Sequence, residues 1–275
     1  MGDSRYLSRF IKGVIIMSTI LIESVFKRFP NGFEALKGVS ADIAPGSFTV
    51  ILGPSGAGKS TLLRLINGLE TSTGGSVRIA GETLGKANLR KVRSRVAMVF
   101  QQFNLVERLS VATNVLTGRL AHRSWVGSVF YLFRNEDMDI VREVLARVGL
   151  TEKAWSRADK LSGGQRQRVG IARALAQRPK VILADEPVAS LDPVSSEEIM
   201  GLLREICDRD GITVVVNLHQ VDVAKRFADR IIGMNSGRVV FDGTPAELSP
   251  QALRTIYRRE GMEHDNSLDL ALAYA

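Results

Sequence analysis

Three observations predict an α/β fold with a parallel sheet covered by helices on both faces. The first is an apolar run at residues 48–52 that passes through a glycine-rich loop into a helical pattern at 61–68. The second is a sustained alternation of helix and strand patterns from residue 165 to residue 242, the order that builds parallel sheets. The third lies between them. From residue 103 to about 160 no strong strand pattern occurs, and apolar residues recur at helical spacing over 111–120 and 138–148. A helical lobe, about residues 103–178, is therefore expected as an insertion in the α/β core.

Taken in order, residues 1–18 form an N-terminal extension. Arg5, Arg9 and Lys12 stand there among a few apolar residues, without the apolar stretch and small-residue cleavage site of a secretory signal. A strand pattern begins just after Met17, so two readings stand: a true start at Met17, or a short mobile arm over 1–16. The folded domain is expected over 19–250, with a C-terminal tail over 251–275 that is weakly patterned and loosely held from 260. Residues 19–29 and 36–43 read as strands, closed by the turn signals Pro30-Asn31-Gly32 and Pro45-Gly46. Residues 76–81 and 96–100 read as further strands, the latter ending at Gln101-Gln102. Arg90, Lys91, Arg93 and Arg95 fit a solvated helix face. Within the lobe, the 118–137 stretch holds Trp125, Phe130, Tyr131 and Phe133 beside Arg119, Arg123 and Arg134; packing inside the lobe is preferred to an exposed docking surface. Beyond it come helix 165–177, strand 181–185, helix 193–207, strand 212–217 and helix 220–227. Strands 230–234 and 238–242 then form a hairpin through Asn235-Ser236-Gly237.

Bulk properties narrow the function without choosing it. The 275 residues, 45% hydrophobic and 24% charged, suffice for one large α/β domain or a core with a smaller lobe. Lys plus Arg number 37 against 29 Asp plus Glu, a net charge of +8 that suits a nucleotide, a nucleic acid or an anionic membrane surface. The single cysteine, Cys207, excludes a disulfide framework and points to a reducing compartment. His122, His219 and His264 lack companions at metal-site spacing, so no zinc site is expected. No run of 18 apolar residues is present, so no spanning helix is expected.

The chemistry begins at Gly53-Pro54-Ser55-Gly56-Ala57-Gly58-Lys59-Ser60-Thr61, which fits G-x-x-x-x-G-K-S/T at every defined position. Its context is strand, loop, helix, which lets backbone N–H groups curl around phosphate oxygens at a helix N-terminus. Lys59 is expected on the β- and γ-phosphates and the Ser60 hydroxyl on Mg²⁺. A second signal is Val181-Ile182-Leu183-Ala184-Asp185-Glu186, a buried strand with two carboxylates at its C-terminal end, where open α/β sheets bind ligands. Asp185 is read as a Mg²⁺ carboxylate and Glu186 as the group that polarises the attacking water. A third is Leu161-Ser162-Gly163-Gly164-Gln165 at a helix start. Ser162 and Gln165 have capping-box spacing. Two glycines in a first turn cost about 1 kcal/mol each against alanine, which makes sense where an anion must approach the backbone. The chain thus holds two anion-gripping helix starts, more than one triphosphate needs from one chain.

The phosphate loop, Gln101, residues 161–165, residues 181–186, Ser190-Leu191-Asp192 and His219, in this order and spacing, resemble the ATPase subunit of an ABC transporter over about residues 19–248. The resemblance implies a P-loop NTPase core, an antiparallel β subdomain and the inserted helical subdomain. It implies a homodimer in which Ser162, Gly163, Gly164 and Gln165 of one copy close on the nucleotide of the other, with Mg²⁺ held by Ser60, Gln101 and Asp185. Gln101 matches the Q-loop, with Gln102 as an alternative one residue on. Asp192 matches the D-loop that crosses the dimer interface and also suits a helix N-cap before Pro193. His219 matches the histidine on the γ-phosphate, although Leu218 stands where the family usually has Thr. Phe29 matches the aromatic that stacks on adenine, and a core phenylalanine is the other reading.

Finer similarity lies in Val188-Ala189, in 217–222, in Phe103-Asn104-Leu105-Val106 and in the long 118–137 stretch, which together look like the ATPase of bacterial phosphonate importers. That resemblance implies two transmembrane permease subunits, indirect service to a periplasmic or extracellular solute-binding protein, and a place on the cytoplasmic face of the bacterial inner membrane. An importer or exporter of another solute, such as a polar amino acid or a phosphate ester, is the alternative. A non-transport ABC ATPase acting on nucleic acid is disfavoured by the short, single lobe.

Overall fold

The computed structural model describes residues 10–11, 14–15, 19–122 and 133–258. Met17, most of the N-terminal arm, Arg123, Trp125, Phe130, Tyr131 and the tail from 259 lie outside the described residues. Within the arm, Phe10–Ile11 (β1) pairs antiparallel with Val14–Ile15 (β2).

The centre is a six-stranded sheet. Its members are Phe48–Leu52 (β5), Val96–Val99 (β8), Val181–Asp185 (β9), Thr213–Leu218 (β10), Arg230–Asn235 (β11) and Arg238–Gly243 (β12), in the order β12-β11-β5-β10-β9-β8. Five of these strands are mutually parallel and β12 pairs antiparallel on β11 at the edge. Every residue of β5, β9 and β10 is buried, as expected of parallel strands covered on both faces. Alternate side chains divide between two cores. Phe48, Val50 and Leu52 of β5 join one cluster, with Ile182, Val214 and Val216. Ile51 joins the other, with Leu183 and Val215.

The second core also receives a separate antiparallel sheet. Ile20–Arg28 (β3), Glu34–Ile43 (β4), Gly74–Ile79 (β6) and Glu82–Thr83 (β7) form it in the order β4-β3-β6-β7. Helix Lys59–Ile66 (α1) sits between the sheets, with Leu62, Leu63, Leu65 and Ile66 buried. It starts two residues earlier than the apolar pattern suggests, because left-handed Gly58 opens it directly from the phosphate loop. The short helix Leu89–Arg93 (α2) keeps Val92 inside and Arg90, Lys91 and Arg93 exposed, as the basic run predicted.

The helical lobe comprises Val111–Leu116 (α3), Asn135–Arg147 (α4) and Gly163–Ala176 (α5), and no named strand falls within its described residues. The 118–137 stretch is packed at its described ends. Arg119 donates to Asp137 at 2.9 Å and to the Ala176 carbonyl at 2.8 Å, fixing the lobe to the end of α5. The core then closes with Pro193–Asp210 (α6) and Val221–Phe227 (α7). Helix α6 runs three residues beyond its expected end, to left-handed Gly211.

One boundary needs correction. The tail expected over 251–275 begins with an ordered helix, Pro250–Tyr257 (α8), capped by Ser249. Leu253 and Ile256 enter the first core, with 3% and 0% exposure. Eight residues of modest polarity concealed this at sequence level, because only two of them, Leu253 and Ile256, are fully buried.

Candidate functional site

Strand register assembles the site. Asn217 of β10 stands opposite both Asp185 of β9 and Ile51 of β5, and Leu218 stands opposite Leu52. The carboxyl ends of these strands and the residues just past them, 53–61, 185–186 and 217–219, therefore lie side by side at one edge of the sheet.

The phosphate loop is shaped by glycine. Gly53 and Gly58 have φ of 155° and 97°. A Cβ on Gly53 would lie 2.2 Å from the Met234 carbonyl oxygen, and one on Gly58 would lie 2.5 Å from that of Ala35. Pro54, Ser55, Gly56 and Ala57 line an open cavity with Ser236 and Tyr257. Lys59, 4% exposed, donates to the carbonyls of Gly53 at 2.7 Å and Pro54 at 3.1 Å. Burial pushes its ammonium below the ordinary lysine range, and the carboxylates of Glu186 and Asp185 oppose that push. Ser60 Oγ donates to Asp185 Oδ1 at 2.8 Å, and half-buried Thr61 continues the first turn of α1.

Both oxygens of Glu186 are engaged. Gln101 Nε2 donates to Oε2 at 3.0 Å, and His219 Nε2 meets Oε1 at 2.6 Å. Gln101, the first of the two adjacent glutamines, makes this contact. Glu186 itself has φ 50°, a left-handed conformation that costs a non-glycine residue energy and is characteristic of functional sites.

Ser162, Gly163, Gly164 and Gln165 open α5. Ser162 Oγ accepts from the Gln165 N–H at 3.3 Å and the Ser162 N–H donates to Gln165 Oε1 at 3.1 Å, a complete capping box. Added Cβ atoms on Gly163 and Gly164 would lie 3.2 Å from Leu191 and from Ser195 respectively. Close packing on the loop at Leu191 and on the first turn of α6 at Ser195 is thus a second reason for these glycines, beside the anion argument. Asp192 caps α6 by accepting from the Ser195 N–H at 2.9 Å, and the Ser195 hydroxyl and backbone hold its carboxyl below the usual range. Among the described residues, the hydrogen bonds of Ser162, Gln165 and Asp192 do not reach residues 53–61 of the same chain.

Phe29 is half-buried, not a core side chain. Its ring stacks against Phe33, with centroids 6.4 Å apart, and Lys27 Nζ lies 4.9 Å from its centroid. It lines a cavity of about 470 Å³ with Phe26, Pro30 and Leu36, and no residue of the phosphate loop lines that cavity.

Three features were missed from sequence. Asn217, 0% exposed, donates to Asp185 Oδ1 at 2.7 Å and lies 3.4 Å from Ser60 Oγ. Its signal was a polar amide in a run of valines, where an unmet amide costs about 1–3 kcal/mol. Tyr257 donates to the His219 carbonyl at 3.1 Å, tying α8 to the site. Arg173 of α5 donates to the carbonyls of Asn104 at 2.5 Å and Phe103 at 2.9 Å, just past Gln101. Both carbonyl owners have positive φ, 37° for Phe103 and 48° for Asn104, a conformation no pattern announced.

A glycine loop at the end of a central parallel strand, with a buried lysine and a serine–aspartate pair beside it, defines a P-loop nucleotide-hydrolysing protein. Comparisons with known proteins narrow that class. The model of the ABC transporter family matches residues 36–189. The chain is 84% identical over 259 residues to the phosphonates import ATP-binding protein PhnC of Thiobacillus denitrificans, covering 94% of this chain and 100% of that protein. It is 56% identical to the phosphite import ATP-binding protein PxtA of Stutzerimonas stutzeri, over 83% of each chain. A bacterial ABC transporter cassette solved as a dimer superposes with a TM-score of 0.73 at 38% identity, over 82% of this chain and 98% of that one. The chain belongs to the ABC transporter family, among the ATP-binding subunits of phosphonate importers. It is an ATPase coupled to transport, and among the described residues no helix is long and apolar enough to cross a membrane.

Proposed function

We propose that this chain hydrolyses ATP to drive phosphonate uptake. It does so as a homodimer beneath two permease subunits, on the cytoplasmic face of the bacterial inner membrane. The observation that carries the solute class is the 84% identity to a phosphonates import ATP-binding protein across that protein's whole length. The substrate itself meets the permeases and an external binding protein, so no residue described above touches it. The net charge of +8 suits a subunit held against anionic lipid headgroups.

Mg²⁺ fits the residues present. Ser60 and Asp185 offer hard oxygen donors, and among the described residues no cluster of three or more His, Cys, Asp or Glu forms a self-sufficient metal cage. When bound, the ion neutralises charge on the β- and γ-phosphates. The chain's own residues do the rest. Backbone N–H groups of 53–61 cradle the phosphates. Lys59, now folded back on two carbonyls, turns to the phosphate oxygens. Glu186 takes up proton density from the attacking water, while Gln101 and His219 orient it and sense the γ-phosphate. Ser162, Gly163, Gly164 and Gln165 close from the second copy, and Asp192 stands at the junction between copies. Phe29 stacks on the adenine.

The test is solute uptake in cells lacking this chain, comparing a phosphonate, phosphite, phosphate and amino acids. Loss of phosphonate uptake alone supports the reading. Intact phosphonate uptake with loss of another solute rejects it, and loss of phosphite uptake alone would favour the reading that the Stutzerimonas relative suggests.

A further inference from the structure

Strand β10 is a poor place for an asparagine. Asn217 follows Val214, Val215 and Val216, lies at the centre of the parallel sheet and is 0% exposed. Asparagine is disfavoured in strands, where valine packs well. Something at this position must use the amide.

The contacts say what. Asn217 Nδ2 lies 2.7 Å from Asp185 Oδ1 and 3.4 Å from Ser60 Oγ. The orientation of the amide is fixed by chemistry, because an ionised carboxylate only accepts and must face the N–H₂ end. Asp185 Oδ1 therefore receives two donors, Asn217 Nδ2 and Ser60 Oγ. That arrangement pins the carboxylate in one rotation and leaves Oδ2 unclaimed by either. The other end of the amide, Asn217 Oδ1, is buried without a hydrogen-bond partner. The N–H₂ end of the amide is thus committed to the serine–aspartate pair, the two oxygen donors read as the cation's ligands.

We propose that Asn217 is a positioning residue of the cation site. Its amide sets the rotation of Asp185 and the place of Ser60 Oγ, so that the two oxygens are arranged for a divalent ion before that ion arrives. It stands behind the ligands as an outer-shell partner does in metal sites generally. The inference rests on the reading of Ser60 and Asp185 as the cation's protein ligands.

The test uses the full chain, Mn²⁺ as a paramagnetic probe and a non-hydrolysable ATP analogue. Asn217→Leu keeps the shape and removes the donor. Asn217→Ser, too short to reach Asp185, serves if the leucine variant does not fold. Nucleotide affinity in EDTA is expected to stay within about twofold of the parent, while Mn²⁺ affinity of the nucleotide complex falls roughly tenfold or more. The Mg²⁺ concentration for half-maximal hydrolysis rises by the same factor, with kcat at saturating Mg²⁺ changed less. Asp185→Asn is the control. If Mn²⁺ affinity falls in Asp185→Asn but is unchanged in both Asn217 variants, Asn217 is not a positioning residue and the cation reading stands. If it is unchanged in all three, the cation reading fails and takes the inference with it.

Discussion

His219 Nε2 lies 2.6 Å from Glu186 Oε1, so the end of β10 is fastened to the end of β9 through the carboxylate proposed to activate water. Gln101 holds the other oxygen at 3.0 Å. A carboxylate gripped on both sides has one orientation, and water placed against it is placed by three segments of the chain at once.

Replacement of Glu186 by Gln keeps the shape and removes the proton acceptor. ATP binding is expected to change little, while phosphate release falls by at least about 100-fold. Binding by nucleotide fluorescence and turnover by phosphate assay separate the two effects. Hydrolysis near the parent rate would show that another group activates the water.

Gly53→Ala tests the shape of the phosphate loop. The new Cβ would meet the Met234 carbonyl oxygen at 2.2 Å, and backbone cannot turn aside as a side chain can. The fold is expected to lose about 1–3 kcal/mol, read from denaturant unfolding, together with nucleotide affinity. An unchanged midpoint would mean that the loop and β11 are free to separate.

Tyr257 predicts a pH dependence. Burial pushes its phenol from 10.0 up to about 12. The folded state thus keeps a proton that the unfolded chain gives up, so its contribution is complete below pH 10 and is lost as pH rises towards 12. The melting temperature is expected to fall across that window, and to fall less steeply in Tyr257→Phe. Equal slopes in the two proteins would exclude Tyr257 as the cause.

Cys207 is 1% exposed and its thiol is pushed up to about 11 by burial. Thiol reagents near neutral pH are expected to label it only after unfolding. Rapid labelling of the folded protein would show that α6 opens locally.

Much of this was legible in the sequence because the signals are local. Strands β5 and β9 fall where the sequence places them, at 48–52 and 181–185, since both faces are covered and all of their residues are buried. The phosphate loop was readable because Gly53 and Gly58 answer to steric demands that no other residue meets. What escaped was long-range. Asn217 and Asp185 are 32 residues apart, and only strand register makes them partners. Tyr257 reaches a carbonyl 38 residues away from a helix with too few inward residues to announce itself. The close approach of Leu191 and Ser195 to the glycines at 163 and 164 is likewise a tertiary fact that no local pattern carries.

On the proposed function, one chain carries half of a hydrolytic site and a second copy supplies the rest. Light scattering of Glu186→Gln, with and without ATP, tests it most directly when paired with Glu186→Gln/Gly164→Leu. An ATP-dependent dimer is expected for the single variant, and for the double variant a monomer that still binds ATP. A single variant that stays monomeric with ATP bound, or a double variant whose monomer no longer binds nucleotide, would contradict it.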